Sequence, residues 1–331
     1  GTIEGFELQD DVDVIDNLTI GGNLGEDGLE APTGVDLAAV TVQGDVIGTI
    51  SGLTIGALEV DGFQTDGRVT ATNNLASLVV NGDFDAGEVL VISGGIPGGI
   101  QVKNGSITGN EVRVVAQGGD IGPVEIDLNL STTQYDPNDD TQDAAIEASG
   151  TMDRIDIGGD ATSGYLKAGT AGDATDDFID GLAVAGEITN LALEGDLAAT
   201  SDPVISAGDG IVLLTVTGNV TGDGTAATDV AVDDADGVIE QMWIGGNFQG
   251  AGPDNIQVSA PVEQLYVGGN LPGGNLELGG NWAFISPAGE SNYANVQFAT
   301  RAGHVNATTD RQIHVGERWI AEDDGGLGGT Y

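Results

Sequence analysis

The sequence predicts an all-β protein built as a parallel β-helix (β-solenoid), with coils of about 20-odd residues, loop insertions and a C-terminal cap. Three observations support this prediction. Apolar and polar residues alternate over short segments, a Gly-Asp or Gly-Asn pair follows many of them, and whole segments recur. The clearest recurrence is VIEQMWIGGNFQG (238–250), which returns 23 residues later as PVEQLYVGGNLPG (261–273).

The repeated unit reads apolar-x-apolar-x-Gly-[Asp/Asn]-apolar. Alternation with period 2 is typical of a strand, and Gly followed by Asp or Asn suits positive φ and a sharp corner. Apart from short segments such as 142–148, the chain has no sustained helical periodicity. Examples of the unit are LTIGGNL (18–24), VTVQGDV (40–46), LVVNGDF (78–84), IDIGGDA (155–161), LALEGDL (191–197), LTVTGNV (214–220), MWIGGNF (242–248) and LYVGGNL (265–271).

Two all-β architectures compete for this pattern. A sandwich or antiparallel barrel would join unlike strands through tight Asn-Gly turns, whereas a solenoid repeats one motif at the same corner of every coil. The sequence shows the second pattern. The corner glycines are 22 residues apart at Gly22 and Gly44 but 11 apart at Gly269 and Gly280, so we expect inserted loops and second corners in some coils.

The V-x-G-[Asp/Asn] and GGN corners, which cover most of residues 12–282, resemble the parallel β-helix repeats of bacterial extracellular proteins. Autotransporter-type passengers and repeat-rich surface or fibre proteins are built this way. The resemblance implies the fold and an extracellular or cell-surface location, but not an activity, because such solenoids also include polysaccharide lyases, adhesins and ice-binding proteins. We predict a solenoid over 1–281 with a loop insertion at about 131–150, and an aromatic-rich C-terminal cap or docking segment over 282–331.

The charge balance excludes several partners. The chain has 53 acidic and 8 basic residues, a formal charge of −45, which repels nucleic acid and anionic membranes. The same charge suits a medium in which calcium or high salt neutralises carboxylates. There is no cysteine, hence no disulfide or thiolate metal site, and no apolar run is long enough to predict a membrane span.

A candidate calcium loop lies in the predicted insertion. Its D-x-N-x-D…E spacing places four oxygen ligands at the first, third, fifth and twelfth positions: Asp136, Asn138, Asp140 and Glu147. The sixth position is Thr141, where this motif needs glycine, and no flanking helices are evident. Calcium is therefore the one cofactor that we consider, and a chance match in an Asp-rich loop is the alternative.

The C-terminal segment differs in composition from the repeats. It holds six of the chain's fifteen aromatic residues and three of its six arginines. An open solenoid end would pair with any other strand edge, so it needs a cap or a partner. We expect either an aromatic cap or an assembly face that docks on the acidic N-terminal end of the next subunit. The candidate assembly residues are Trp282, Phe284, Arg301, Arg311, Arg318 and Trp319.

Two further sets of surface residues stand out. Trp243 and Tyr266 occupy the outward mid-strand position of successive coils, which predicts a surface aromatic ladder for sugar binding or lateral packing, or rings partly covered by a loop. Five N-x-[S/T] sequons are possible glycosylation sites, or simply corner asparagines followed by strand residues: Asn17, Asn104, Asn129, Asn219 and Asn306.

Residues for catalysis are scarce. Solenoid lyases use carboxylates with an Arg or Lys base, and the best local grouping here is MDRIDIGGD (152–160), which an ion-paired surface explains equally well. We therefore expect a non-enzymatic extracellular structural protein that self-assembles end to end into a filament, sheath or surface layer. The alternatives are a carbohydrate-binding adhesin, with surface glycans as partners, and a polysaccharide lyase or hydrolase.

Overall fold

A computed structural model describes most of the chain. The described ranges are 2–7, 14–31, 34–64, 66–132, 143–169, 178–198, 203–222, 229–234, 237–249, 256–260, 262–268, 275–278, 282–285, 295–298, 311–315 and 318–323. These residues form strands and turns without a helix. The chain divides into two compact units, Gly1–Gly169 and Thr170–Tyr331.

The described residues of the first unit form seventeen strands. They are β1 (Thr2–Glu7), β2 (Val14–Ile15), β3 (Leu18–Ile20), β4 (Asn23–Glu30), β5 (Asp36–Val46), β6 (Thr49–Gly52), β7 (Ile55–Phe63), β8 (Arg68–Ala71), β9 (Leu75–Val80), β10 (Phe84–Val91), β11 (Ile100–Val102), β12 (Ile107–Ala116), β13 (Val124–Ile126), β14 (Leu130–Ser131), β15 (Ile146–Ala148), β16 (Ile155–Ile157) and β17 (Ala161–Ala168).

The second unit contains the remaining strands. They are β18 (Phe178–Ile179), β19 (Leu182–Val184), β20 (Glu187–Ile188), β21 (Leu191–Glu194), β22 (Asp196–Ala198), β23 (Ile205–Ala207), β24 (Gly210–Val216), β25 (Val220–Thr221), β26 (Val230–Val232), β27 (Ile239–Ile244), β28 (Phe248–Gln249), β29 (Ile256–Val258), β30 (Val262–Val267), β31 (Asn275–Leu278), β32 (Trp282–Ile285), β33 (Asn295–Phe298), β34 (Arg311–Val315) and β35 (Arg318–Asp323).

Parallel stacking of successive coils builds the first unit. In one column β3, β5, β7, β9, β11, β13 and β16 pair in parallel. The prediction of a parallel solenoid is confirmed, and the coils are roughly 23 residues apart. Their length varies, because the paired residues Val42 and Val60 are 18 apart and Ile126 and Ile157 are 31 apart.

Each coil of the first unit supplies strands to three columns, and aliphatic side chains fill the narrow space between them. In the first column the inward, buried position is occupied by Ile20, Val42, Val60, Val80, Val102, Ile126 and Ile157. In the second it is occupied by Leu29, Ile50, Val69, Val89, Val114, Ile146 and Leu166. Phe63 and Phe84 stack in the third, with ring centroids 4.9 Å apart.

The second unit repeats this plan and then changes it. β19, β23, β26, β29 and β31 pair in parallel, as do β21, β24, β27, β30 and β34. Beyond these columns the pairing is antiparallel: β31 with β32, β32 with β33, and β34 with β35. The change of direction falls in and next to the predicted segment 282–331, where the repeat motif ends.

The predicted loop insertion at 131–150 is partly a strand region. β15 (Ile146–Ala148) lies within it and pairs in parallel with β12 and β17. Ile146 and Ala148 face the buried interior, while Glu147 points outward. The alternation Ile-Glu-Ala therefore places this short segment in the solenoid wall.

The Asn and Asp residues of the corners connect neighbouring coils. Each side-chain oxygen accepts a hydrogen bond from a backbone N–H of the next coil, at 2.7 to 3.1 Å. In each of the following pairs the side-chain acceptor is named first and the backbone donor second: Asn23 with Asp45, Asn74 with Gly95, Asp83 with Ser106, Asn129 with Asp160, Asp196 with Asn219, and Asn219 with Asn247. The corners thus satisfy backbone donors where the strand ladder ends.

The corner glycines have two roles, of which the sequence suggested one. Gly22 and Gly195 have positive φ, but Gly44 and Gly218 do not. A Cβ on Gly44 would lie 2.4 Å from Asn23 Oδ1, and one on Gly218 would lie 2.2 Å from Asp196 Oδ1. Glycine precedes Asn or Asp at these corners because it leaves room for the corner side chain of the previous coil.

Replacing Gly44 with alanine tests this explanation. The new methyl group would press on Asn23, so we expect Gly44→Ala to lower the free energy of unfolding by about 1–3 kcal/mol. Gly21→Ala is the matched control, because the nearest atom to its Cβ would be Gln43 Oε1 at 3.8 Å. Urea denaturation followed by circular dichroism would measure both. Equal unfolding midpoints for the two variants would contradict the steric explanation.

Candidate functional site

A chain of ion pairs crosses four successive coils of the first unit. Arg68, Glu88 and Arg113 are register partners on β8, β10 and β12. Arg68 Nε lies 2.8 Å from Glu88 Oε2, Arg113 Nη1 lies 3.0 Å from Glu88 Oε1, and Arg113 Nη2 lies 3.1 Å from Asp143 Oδ1. Parallel stacking therefore brings together side chains that are 20 to 30 residues apart in the sequence.

This ion-pair chain lines an open groove of about 510 Å³. Asp66 and Glu111 add two carboxylates, so the groove holds four acidic and two basic side chains. It combines carboxylates with arginine, as the lyase alternative requires. However, both guanidinium groups are already bound to carboxylates, and Arg113 Nε is buried without a hydrogen-bond partner. Sequence analysis missed the groove because its residues are not neighbours in the chain.

The basic residue of the grouping that the sequence predicted is also ion-paired. Within MDRIDIGGD, Arg154 Nε lies 3.1 Å from Asp156 Oδ1, two residues further along the same segment. Asp156 is in register with Glu125 of the previous coil. The arginine therefore offsets the repulsion between two stacked carboxylates, which agrees with the ion-paired surface that we weighed against catalysis.

The candidate calcium loop is only partly described. Glu147 lies on β15, and its Oε1 is 3.8 Å from Lys167 Nζ on the adjacent coil. Asp136, Asn138 and Asp140 lie outside the described residues. Within the described ranges, no cluster of three or more His, Cys, Asp or Glu side chains has an arrangement that could hold a metal ion. Calcium binding stays a prediction.

A second open groove in the first unit, of about 710 Å³, is strongly acidic. Its carboxylates come from four successive coils: Asp45, Asp61, Asp66, Asp83, Asp85 and Glu111. Gln64 Nε2 donates a hydrogen bond to Asp45 Oδ2 at 3.1 Å. Stacking concentrates negative charge here in a way that the linear sequence does not display.

The aromatic ladder is present in the second unit. Trp243 on β27 is in register with Tyr266 on β30, and their ring centroids are 4.7 Å apart at an interplanar angle of 30°. The Trp243 side chain is exposed, and Tyr266 is half-buried. The contact predicted from the repeat spacing is confirmed. Its role in sugar binding or lateral packing stays a prediction.

The sequon asparagines occupy different environments. Asn17 and Asn104 are exposed, and Asn104 has positive φ. The Asn219 amide is fully used: Nδ2 donates to both oxygens of Asp196, and Oδ1 accepts from the Asn247 N–H. Asn129 Oδ1 accepts from the Asp160 N–H, and Asn306 lies outside the described residues. Among the four described asparagines, Asn17 and Asn104 are the better glycosylation candidates.

The predicted assembly residues fall mostly on strands. Trp282 and Phe284 lie on β32, Arg311 on β34, and Arg318 and Trp319 on β35. Arg301 lies outside the described residues. The backbone places the β32 and β35 residues on the antiparallel strands that follow the parallel columns.

Comparison of the chain with protein-family models, with curated proteins and with solved structures found no match. The described residues contain no helix that is long and apolar enough to cross a membrane.

Glu88 provides a test of the ion-pair chain. It is 23% exposed and bridges two arginines, so Glu88→Gln should cost about 1–2 kcal/mol of unfolding free energy at low salt. The loss should shrink as salt is added. Glu59→Gln is the control, because the exposed Glu59 accepts a hydrogen bond only from Asn81 among the contacts described here. If the unfolding free energies of the two variants depended on salt in the same way, the stabilising role of the Glu88 ion pairs would be contradicted.

Asn219→Asp tests the buried corner pair. Asp196 is 4% exposed, and the variant places a second carboxylate about 3 Å from it in place of the donating amide. Like charges at this distance repel, so we expect a loss of about 1–3 kcal/mol at pH 7. Protonation of either carboxyl relieves the repulsion, so the loss should diminish as the pH falls below about 5.

The matched control for this pair is Asn74→Asp. The side chain of Asn74 accepts the Gly95 N–H, a role that an aspartate oxygen can also fill. Urea midpoints measured from pH 4 to pH 8 would compare the variants. A pH-independent loss in Asn219→Asp would indicate a packing defect instead of charge repulsion.

Proposed function

We propose that this chain is a non-enzymatic structural protein of the cell surface or extracellular space, which assembles end to end into a filament, sheath or surface layer. The supporting observation is the use of polar side chains between coils. The ion pairs of Arg68, Arg113 and Lys167 join neighbouring coils, as the corner hydrogen bonds do. Charged groups used in this way stabilise a stack of coils.

The lyase or hydrolase alternative has weaker support. The arginine-containing groove holds more carboxylates than guanidinium groups, and each guanidinium is engaged by a carboxylate. An anionic polysaccharide would be repelled from such a surface. A general base must be available to the substrate within hydrogen-bond reach, and these cations would first have to leave their ion pairs.

The proposed contact joins the two ends of the repeat array. At the N-terminal end, β1 pairs with β4, and Glu4 and Glu7 are part of this strand. At the C-terminal end, β35 includes Arg318 and pairs with β34. A strand edge can accept a further strand, and a contact between unlike ends continues into an open polymer. Arg311 and Arg318 at this end could pair with Glu4 and Glu7 of the next copy, which would favour the head-to-tail direction.

Calcium or high salt would assist this assembly. A chain with a formal charge of −45 repels its own copies strongly at low ionic strength. Divalent cations that bridge carboxylates on neighbouring subunits would lower this repulsion. The proposal therefore includes calcium as a promoter of assembly, and it does not require an enclosed metal site.

Electron microscopy of the purified chain tests the proposal. We expect regular filaments or sheets in millimolar calcium and shorter or dispersed particles after chelation. Reversing the charge of the C-terminal arginines, as Arg301→Glu, Arg311→Glu and Arg318→Glu, should abolish the filaments while preserving the β-rich circular dichroism spectrum. Isolated particles in calcium, chelator and high salt alike would contradict the proposal.

A charge swap provides the matched control. Glu4→Lys and Glu7→Lys in a second chain should restore pairing with the arginine-reversed chain when the two are mixed. Restoration shows that the two ends meet. Filaments that persist in the arginine-reversed chain alone would mean that assembly uses another surface.

A further inference from the structure

We propose that the outward face around Trp243 and Tyr266 binds a neutral polysaccharide. This inference goes beyond structural assembly and does not depend on filament formation. The exposed large apolar side chains in the described residues are Val14, Ile92, Leu128 and Trp243. Of these four, Trp243 is the aromatic one and it stacks on a second ring.

The tryptophan ring is held in place by the solenoid wall. Its strand neighbours Met242 and Ile244 are buried in the core, as are Leu265 and Val267 on either side of Tyr266. The backbone register fixes Trp243 opposite Tyr266. The two rings are therefore rigid, and rigid aromatic groups lose little conformational entropy on binding a ligand.

Part of the Trp243 side chain is open to a ligand. Tyr266 packs on the side of the following coil, while the residue in register on the preceding coil is the smaller Thr215. This step from threonine to tryptophan explains why Trp243 is 44% exposed. An apolar ring face beside a hydroxyl group suits a pyranose, whose C–H groups contact the ring while its hydroxyls form hydrogen bonds.

The neighbouring positions complete a shallow platform. On one side of Trp243 along the chain is Gly245, and Gly268 follows Tyr266 in the same way, so neither of these two positions carries a side chain. On the other side is Gln241, which is half-buried and in register with Leu213. Its amide can both donate and accept hydrogen bonds with sugar hydroxyls.

Charge decides between the possible occupants. The chain carries a formal charge of −45, so an anionic glycan would meet strong repulsion. A neutral polysaccharide does not. Two rings also offer too small an apolar area for a stable protein interface. The face therefore fits a neutral glycan chain.

Affinity gel electrophoresis of the full chain, in a chelating buffer that disfavours assembly, would test the inference. The gels would contain hydroxyethylcellulose, galactomannan or laminarin, and carboxymethylcellulose as the anionic counterpart. We expect at least one neutral polysaccharide to retard the chain and carboxymethylcellulose not to do so. Failure of all three neutral polymers to retard it would overturn the proposal.

Variants then locate the site. Trp243→Ala should weaken the retention at least roughly tenfold, which corresponds to about 1.4 kcal/mol. Trp243→Phe should keep most of it, and Leu128→Ala, which removes a similarly exposed apolar side chain in the first unit, should keep all of it. Undiminished retention of Trp243→Ala would overturn the proposal.

Two further measurements distinguish glycan binding from misfolding of the variant and from lateral pairing of copies. Circular dichroism and urea midpoints would show whether Trp243→Ala is folded, and Trp243→Phe gives an independent result if it is not. Sedimentation velocity would reveal lateral pairing of copies. A change in sedimentation by Trp243→Ala without a change in polysaccharide retention would assign this face to self-association and overturn glycan binding. Absence of filaments would leave this proposal intact, since retention is measured on dispersed chains.

Discussion

The close spacing of stacked coils is the constraint on which the rest of the structure depends. Parallel strands lie about 4.8 Å apart, so every residue has a neighbour above and below at that distance. Inside, this spacing selects columns of similar aliphatic side chains, such as Ile20, Val42 and Val60. At the corners it makes Asn or Asp accept the next coil's N–H, and it excludes a Cβ at Gly44 and Gly218. One distance thus explains both the apolar alternation and the Gly-Asx motif.

The same spacing restricts where charged side chains can lie in a chain with 53 acidic residues. Carboxylates in register on adjacent coils repel, so the few basic residues are placed where they offset this repulsion. Glu88 lies between Arg68 and Arg113, Glu147 is opposite Lys167, and Arg154 binds Asp156 where that residue stacks on Glu125. These cations act in the stack, which is the physical reason for preferring a structural role over catalysis.

The sequence predicted the fold because its signals are local. Alternation within LTIGGNL and VTVQGDV and the recurrence of the corner are visible in a few residues. The three columns per coil, the coil lengths from 18 to 31 residues and the ion-pair groove were not predicted, since they depend on which residues become register partners. The Trp243–Tyr266 contact could be predicted because these two coils have the same motif and a fixed offset of 23 residues. Arg113 and Asp143, 30 residues apart across an insertion, share no such motif.

Functional information in this architecture is therefore found in the outward columns. Inward residues are constrained by packing between coils, and corner residues by the backbone N–H groups whose hydrogen bonds they accept. Neither set can change to suit a ligand without weakening the stack. An outward position is not constrained in this way. A change of residue type along an outward column therefore needs a cause other than coil stacking. Thr215 is followed by Trp243 and Tyr266 at the same outward position. Stacking would accept small polar side chains throughout this column. The two large rings exceed what stacking requires, and the exposed part of Trp243 is apolar surface that the proposed sugar would cover.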